Sequence, residues 1–403
     1  MVKKTALQVP GFCFAAVPAG IKYRHRPDVG LIIADRPCNC AGVFTTNRVR
    51  APAVRLDKQR LKNNGLAQAI IVNSGNANTC VGDKGHQAAL KITRALAKTL
   101  SIKNSLCLMS STGVIGEPLP EHKITDKIPA LVKAATPERL PDFARAIMTT
   151  DTRPKTASRT FSFNNKKVTL AAAAKGSGMI MPDMATMLAY VVTDARIDTN
   201  VLKKALRRAS ENSFNALTVD GDTSTSDTVI VMAGGKSGCN CNTGKAYSLF
   251  QHALDEICLE LAESIAADGE GATRLVRILA KEAKTRKEAD AIARRVANSP
   301  LVKTALHAAD PNWGRIMAAA GSAGVPLDAN KVSLRFQDPK GNHVQVVENG
   351  ALSPRYSETK ARRILGSKEV DVILGLGRGS EQRTVLTCDL SAEYIKINAE
   401  YRS

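Results

Sequence analysis

Continuous apolar runs, rather than strict alternation, dominate the hydrophobic pattern of this 403-residue chain. Residues 31–34, 69–72, 106–109, 168–174, 188–192, 228–232, 275–279, 332–336, 344–347, 370–374 and 384–388 read as strands, several of them covered on both faces. Helical periods lie between them. Over 87–100, Leu90, Ile92, Ala95 and Leu96 fall near one side; over 200–209, Val201, Leu202, Ala205, Leu206 and Ala209 repeat behind an Asp198-Thr199 N-cap. The clearest period runs over 249–267, through Leu249, Phe250, Ala253, Leu254, Ile257, Cys258, Leu261, Ala262 and Ile265. The expected fold is α/β (α+β), with helix-covered sheets. No internal repeat, low-complexity tract or long linker interrupts it, and 234–245 reads as a loop.

Composition narrows the function classes. A hydrophobic content of 44% and a charged content of 23% are ordinary for a globular protein. The formal charge of +20 is not, and it raises nucleic-acid binding as one reading. Aromatic residues are only 4%, too few for stacking platforms, and the basic residues are spread over the polar sides of helical patterns. A solvated basic surface that attracts anionic substrates fits better, and no nucleic-acid partner is expected. Nine cysteines, two pairs of them as Cys38-Asn39-Cys40 and Cys239-Asn240-Cys241, show no disulfide framework and lack the usual zinc spacing. Reduced thiols, no metal and a cytoplasmic location are expected. Gln8, Pro10 and Pro18 break the N-terminal apolar stretch, which argues against a signal peptide, and no run is long enough to cross a bilayer.

The chemistry centres on the run Lys175-Gly-Ser-Gly-Met-Ile-Met-Pro-Asp-Met-Ala185-Thr186-Met-Leu188, a bent loop between two apolar strands. Cutting the Ala185–Thr186 bond would give Thr186 a hydroxyl and a free α-amine. Such an amine, with a reference pKa of roughly 7.7–8.0, can act as the hydroxyl's base at neutral pH. Taken alone, the run reads first as an ordinary turn ahead of a strand.

This run resembles the self-cleavage motif of the ornithine acetyltransferases, or glutamate N-acetyltransferases, of arginine biosynthesis. Further blocks match in the family's order: Thr45-Thr46-Asn47, Asn73-Ser-Gly-Asn-Ala-Asn78, Ser111-Thr-Gly-Val-Ile-Gly116, Thr149-Thr-Asp-Thr152, Asp220-Gly-Asp-Thr-Ser224, Asp268-Gly-Glu-Gly-Ala-Thr273, Ala309-Asp-Pro-Asn-Trp-Gly-Arg315 and Asn398-Ala-Glu-Tyr-Arg-Ser403. Asp183 and Ser226 stand where the family usually has Asn.

The resemblance implies cleavage into an N-terminal chain 1–185 and a C-terminal chain 186–403, sharing one core and assembling as two copies of each. It implies acetyl transfer from N-acetylornithine to glutamate through an acetyl-Thr186 ester, and no cofactor; whether acetyl-CoA also serves as donor is left open. Thr112 and Gly113 match the oxyanion-stabilising pair, though the residues alone favour a turn with a left-handed glycine. Thr149, Lys175, Glu270, Asn398 and Ser403 match substrate-binding positions. By residue type alone, Lys175 would be a surface lysine, Glu270 a solvated carboxylate, and the C-terminal pair part of a mobile tail. An aminopeptidase or amidase using the same nucleophile is the alternative. Asp220–Asp227 and Gly375–Ser380 read as turns rather than as metal or phosphate loops.

Overall fold

The computed structural model describes residues 2–3, 7–181 and 187–400. They form two compact units. The first comprises the described residues of Met1–Asn215 and Asp222–Ala262, and the second Ala216–Gly221 with the described residues from Glu263 on. This division differs from the chemical one at Ala185–Thr186, because it follows packing rather than the chain junction.

In the first unit an eight-stranded sheet is built from β1 (Phe12–Val17), β2 (Val29–Phe44), β3 (Leu66–Asn73), β4 (Cys107–Ser111), β5 (Lys155–Phe163), β6 (Lys166–Lys175), β7 (Leu188–Thr193) and β8 (Thr228–Ala233). The order is β4-β3-β2-β8-β7-β6-β5, with β1 paired to β2 alone. The long strand β2 changes neighbours midway. Its first half pairs with β1 and its second half with β8, and its pairing with β3 shifts register between Ile33 and Cys38. Pro37 lies in that shift and has no N–H to give a ladder.

Consecutive strand residues serve opposite faces of the sheet, which is why the runs are continuously apolar. Leu31, Ile71 and Met109 join a core with Leu56, Ile92 and Leu96 from the helices Pro52–Asn64 and Asp83–Leu100. Ile32, Ile70 and Leu108 join the opposite core with Phe143 and Tyr190, whose rings meet edge to face at 5.5 Å. Phe143 comes from the helix Leu140–Ala146. Helix Thr199–Glu211 buries Leu202, Ala205, Leu206 and Ala209, as its period predicts. Asp198 stands at its N-cap, but its carboxylate accepts from Asn242 Nδ2 at 3.0 Å instead of capping the helix.

Strands β7 and β8, both C-terminal to the Ala185–Thr186 junction, lie between β2 and β6, both N-terminal to it. Antiparallel pairing joins Ala174 to Ala189 and Lys175 to Leu188 across the junction. Segments from either side of that bond therefore share one sheet and one core.

The second unit has a six-stranded sheet of β9 (Leu275–Ala283), β10 (Ser333–Gln337), β11 (His343–Glu348), β12 (Ala351–Leu352), β13 (Glu369–Gly375) and β14 (Glu381–Cys388), in the order β12-β11-β10-β13-β9-β14. Only β13 and β9 run parallel. Val276, Ile278, Phe336, Val346, Val372 and Val385 pack with residues of the helices Arg286–Ala297, Pro300–His307 and Glu358–Leu365. Trp313 opens the helix Trp313–Gly321, partly buried against this core. In the 375–380 loop the N–H groups of Leu376, Arg378 and Gly379 donate to Lys281 and Glu282 carbonyls, so those donors are spent within the fold.

Candidate functional site

Strand β4 delivers Thr112 to a loop packed on the turn after β3. Thr112 N–H donates to Asn73 O at 3.0 Å, and Val114 N–H to Gly75 O. Gly113 has a φ of 126°, and a Cβ on it would lie 2.4 Å from Gly75 C and 2.6 Å from Asn76 N. Two backbones touch here, and only glycine permits it. The Gly113 N–H has no acceptor among the described residues. Because the Thr112 N–H is engaged, the donors this loop can offer an oxyanion are the Thr112 hydroxyl and the Gly113 N–H.

Strand β6 ends at Lys175, which is buried. Its Nζ donates to Thr112 Oγ1 at 3.3 Å, joining residues 63 positions apart. An ammonium only donates, so Thr112 Oγ1 accepts here and its own proton remains to be given elsewhere.

Two buried carboxylates flank this lysine. Asp151 Oδ1 accepts from Lys155 Nζ and from Gly176 N–H, both at 2.7 Å, and its Oδ2 accepts from Thr149 N–H at 3.0 Å. Burial alone would raise this carboxyl, but the charges of Lys155 and Lys175 and these donors hold it at about 2. Asp227, at the head of β8, accepts from Met187 N–H at 3.0 Å through Oδ1. Its Oδ2 has no hydrogen-bond partner among the described residues. Burial pushes it well above the ordinary 3.8, against the hydroxyls of Thr45 and Ser224 and the charge of Lys175. Asp227 thus holds the residue that follows Thr186.

Ala185 and Thr186 themselves lie outside the described residues, as does Ser403. Of the other expected site residues, the structure brings Thr112, Gly113 and Lys175 together, with Thr149 linked to the group through Asp151. In the second unit it brings Glu270 and Asn398 together. Asn398 sits on the helix Ala392–Glu400, and its Nδ2 donates to Glu270 Oε2 at 2.8 Å. Gly271, with a φ of 69°, lets that helix approach, since a Cβ there would meet Tyr394 N at 2.5 Å.

Asp151 and Asp227 were not among the expected site residues. Asp151 was visible inside the Thr149–Thr152 block. Asp227 was hidden in a run read as one turn, which the structure divides. Asp220 accepts from Tyr394 OH in the second unit, whereas Asp227 serves the first. Cys38 and Cys40 lie buried on β2, and Cys239 and Cys241 are buried beyond β8. Among the described residues no group of three or more His, Cys, Asp or Glu side chains could hold a metal ion, and no helix is long and apolar enough to cross a membrane.

A mixed α/β frame that buries a lysine, at the end of β6, against a hydroxyl and a backbone N–H in the loop after β4 has the chemistry that acyl transfer uses. The ArgJ family model matches residues 13–403. The chain is 47% identical over 399 residues to the arginine biosynthesis bifunctional protein ArgJ of Desulfotalea psychrophila, covering 98% of this chain and 100% of that protein. It is 44% identical, with the same coverage, to the ArgJ of Geobacter sulfurreducens. The crystal structure of the Bacillus halodurans ArgJ matches with a TM-score of 0.50 at 35% identity, over 54% of this chain and 100% of that chain. This chain belongs to the ArgJ family, the acyltransferases of arginine biosynthesis.

Proposed function

We propose that the chain cleaves itself between Ala185 and Thr186 and moves the acetyl group of N2-acetyl-L-ornithine to L-glutamate. The Thr186 hydroxyl attacks the acetyl carbonyl, and its proton passes by way of the α-amine to the departing ornithine nitrogen. The acetyl-Thr186 ester that remains is attacked by the glutamate amine. N-acetyl-L-glutamate leaves and the Thr186 hydroxyl regains its proton. Thr112 Oγ–H and Gly113 N–H would receive the oxyanion of each tetrahedral intermediate, one such donor being worth about 2.7–4 kcal/mol. Thr149, Lys175, Glu270, Asn398 and Ser403 would bind substrate, and the two fragments would assemble as a cytoplasmic heterotetramer. The relatives are named bifunctional, and the second activity carried over here is synthesis of N-acetylglutamate from acetyl-CoA.

The observation that carries this reading is the buried Lys175–Thr112 contact, at the end of the strand leading into the junction. Two further facts support it. Strands from both sides of the junction are interleaved, so cleaved fragments would stay joined. The solved Bacillus halodurans chain is spanned whole by 54% of this one, the share that residues 186–403 represent.

Intact-mass analysis should show two fragments of 185 and 218 residues, and the purified pair should transfer acetyl groups with ping-pong kinetics. Thr186→Ala should lose cleavage and turnover, and Thr186→Ser should keep some of each. A single uncut, inactive species would overturn the proposal. Acetyl release to water without dependence on glutamate would select an amidase or aminopeptidase instead.

A further inference from the structure

A second feature of the first unit lies outside the loop cluster just described. Arg48, Arg50 and Arg55 line a cavity of about 680 Å³, together with Gln59, Thr79 and His86. Among the described residues none of the three arginines has a carboxylate partner. Arg50 spends only its Nε, on Asn47 O at 2.9 Å. The carboxylate on the wall, Asp83, is held by Gln87 Nε2 at 3.2 Å. The helix Pro52–Asn64 starts at this wall with no acidic residue in its first turn and no side-chain cap. The cavity is therefore rich in donors and positive charge, with little of either answered from within.

That chemistry selects its ligand. Guanidinium groups bind planar or tetrahedral oxyanions through paired N–H donors, and three of them call for several anionic oxygens. An amino-acid substrate fits poorly, because its ammonium group would face three cations. The cavity's size lies within the range of sites for ligands much larger than an amino acid.

Its wall is also tied to the acyl-transfer loops. Ala51 N–H donates to Thr225 O at 2.9 Å, and Thr225 Oγ1 lies 3.3 Å from Thr79 Oγ1. Two residues on, Asp227 holds Met187 N–H. We propose that this cavity binds the phosphate-bearing nucleotide handle of an acyl-thioester donor of the acetyl-CoA type. The assignment deepens the second activity proposed above and rests on it.

Calorimetric titration of the purified wild-type enzyme with coenzyme A, adenosine 3′,5′-bisphosphate and pantetheine tests this. The first two should bind and the third, which has no phosphate, should not. Arg48→Ala combined with Arg55→Ala, both at exposed positions, should weaken coenzyme A binding about a hundredfold, roughly tenfold per guanidinium–phosphate contact. Arg48→Lys with Arg55→Lys should restore part of the loss. Transfer from N-acetylornithine to glutamate should keep its wild-type kcat/KM in both variants. Coenzyme A binding that is absent in the wild type, or unchanged in the alanine variant, overturns the proposal. So does duplex DNA bound through these arginines without competition from coenzyme A. Loss of N-acetylornithine transfer alongside intact coenzyme A binding would instead count against the transacetylase reading.

Discussion

Replacing Asp151 by Asn tests whether one buried carboxylate organises the approach to the junction. Asp151 gives three acceptor contacts: two on Oδ1, to Lys155 Nζ and Gly176 N–H, and one on Oδ2, to Thr149 N–H. An amide of the same shape has one acceptor atom. If its oxygen keeps Lys155 and Gly176, its NH2 group faces the Thr149 N–H, donor against donor. The Lys155 side chain, 1% exposed, loses the carboxylate charge that it meets at 2.7 Å. Stranding a buried ion-pair partner costs about 3–5 kcal/mol.

The pH dependence gives a second check. The carboxyl falls from 3.8 to about 2 on folding. A depressed folded pKa means that its contribution, about 2 kcal/mol by linkage, is present above pH ~4 and lost as pH falls toward 2. The variant should lack that acid limb. Since Thr149 is a proposed substrate contact and Gly176 adjoins another, Lys175, kcat/KM should also fall, by about a hundredfold for a displacement near 1 Å. Urea unfolding between pH 2 and 7, with kinetics at neutral pH, measures all three. A variant within about 1 kcal/mol of the parent, with the same acid limb, would refute the reasoning.

Thr112→Val keeps the backbone bond to Asn73 and removes only the hydroxyl, so the fold should survive while kcat drops about 10²–10³-fold in steady-state assays. An unchanged kcat would remove Thr112 from the oxyanion site. Gly113→Ala drives a Cβ into the Gly75 backbone and should lower stability by about 3 kcal/mol or more, read as a fall in melting temperature. Asp227→Asn keeps an acceptor for Met187 N–H and removes a carboxyl that burial holds well above 3.8. A raised folded pKa costs the parent stability as pH climbs above about 4, so the variant should gain on the parent over that range; equal slopes of stability against pH would contradict the assigned burial.

All eleven strands expected from the apolar runs are present, because a strand buried on both faces writes its position into the sequence directly. Strands β1, β5 and the two-residue β12 were missed. The β5 segment, Lys-Thr-Ala-Ser-Arg-Thr-Phe-Ser-Phe, is half polar and owes its form to pairing along β6. The helix Pro52–Asn64 was masked by buried polar residues. Asp57 accepts from Met109 N–H, and Arg60 donates to Thr93 Oγ1 and Asn104 Oδ1, so polar residues occupy core positions and blur the period.

By itself, then, the sequence determined most of the sheet-forming segments and the ordered blocks that mark the family, which depend on residue type and local order. The tertiary structure alone decided which of those blocks meet. Lys175 and Thr112 become partners because β6 and β4 end in loops of the same unit, and Asp227 leaves an apparent acidic turn to hold Met187. The balance of burial against neighbouring charge and hydrogen bonds that sets Asp151 and Asp227 on opposite sides of the ordinary carboxylate range is likewise a property of packing, since desolvation and neighbouring charge exist only once distant segments are brought together.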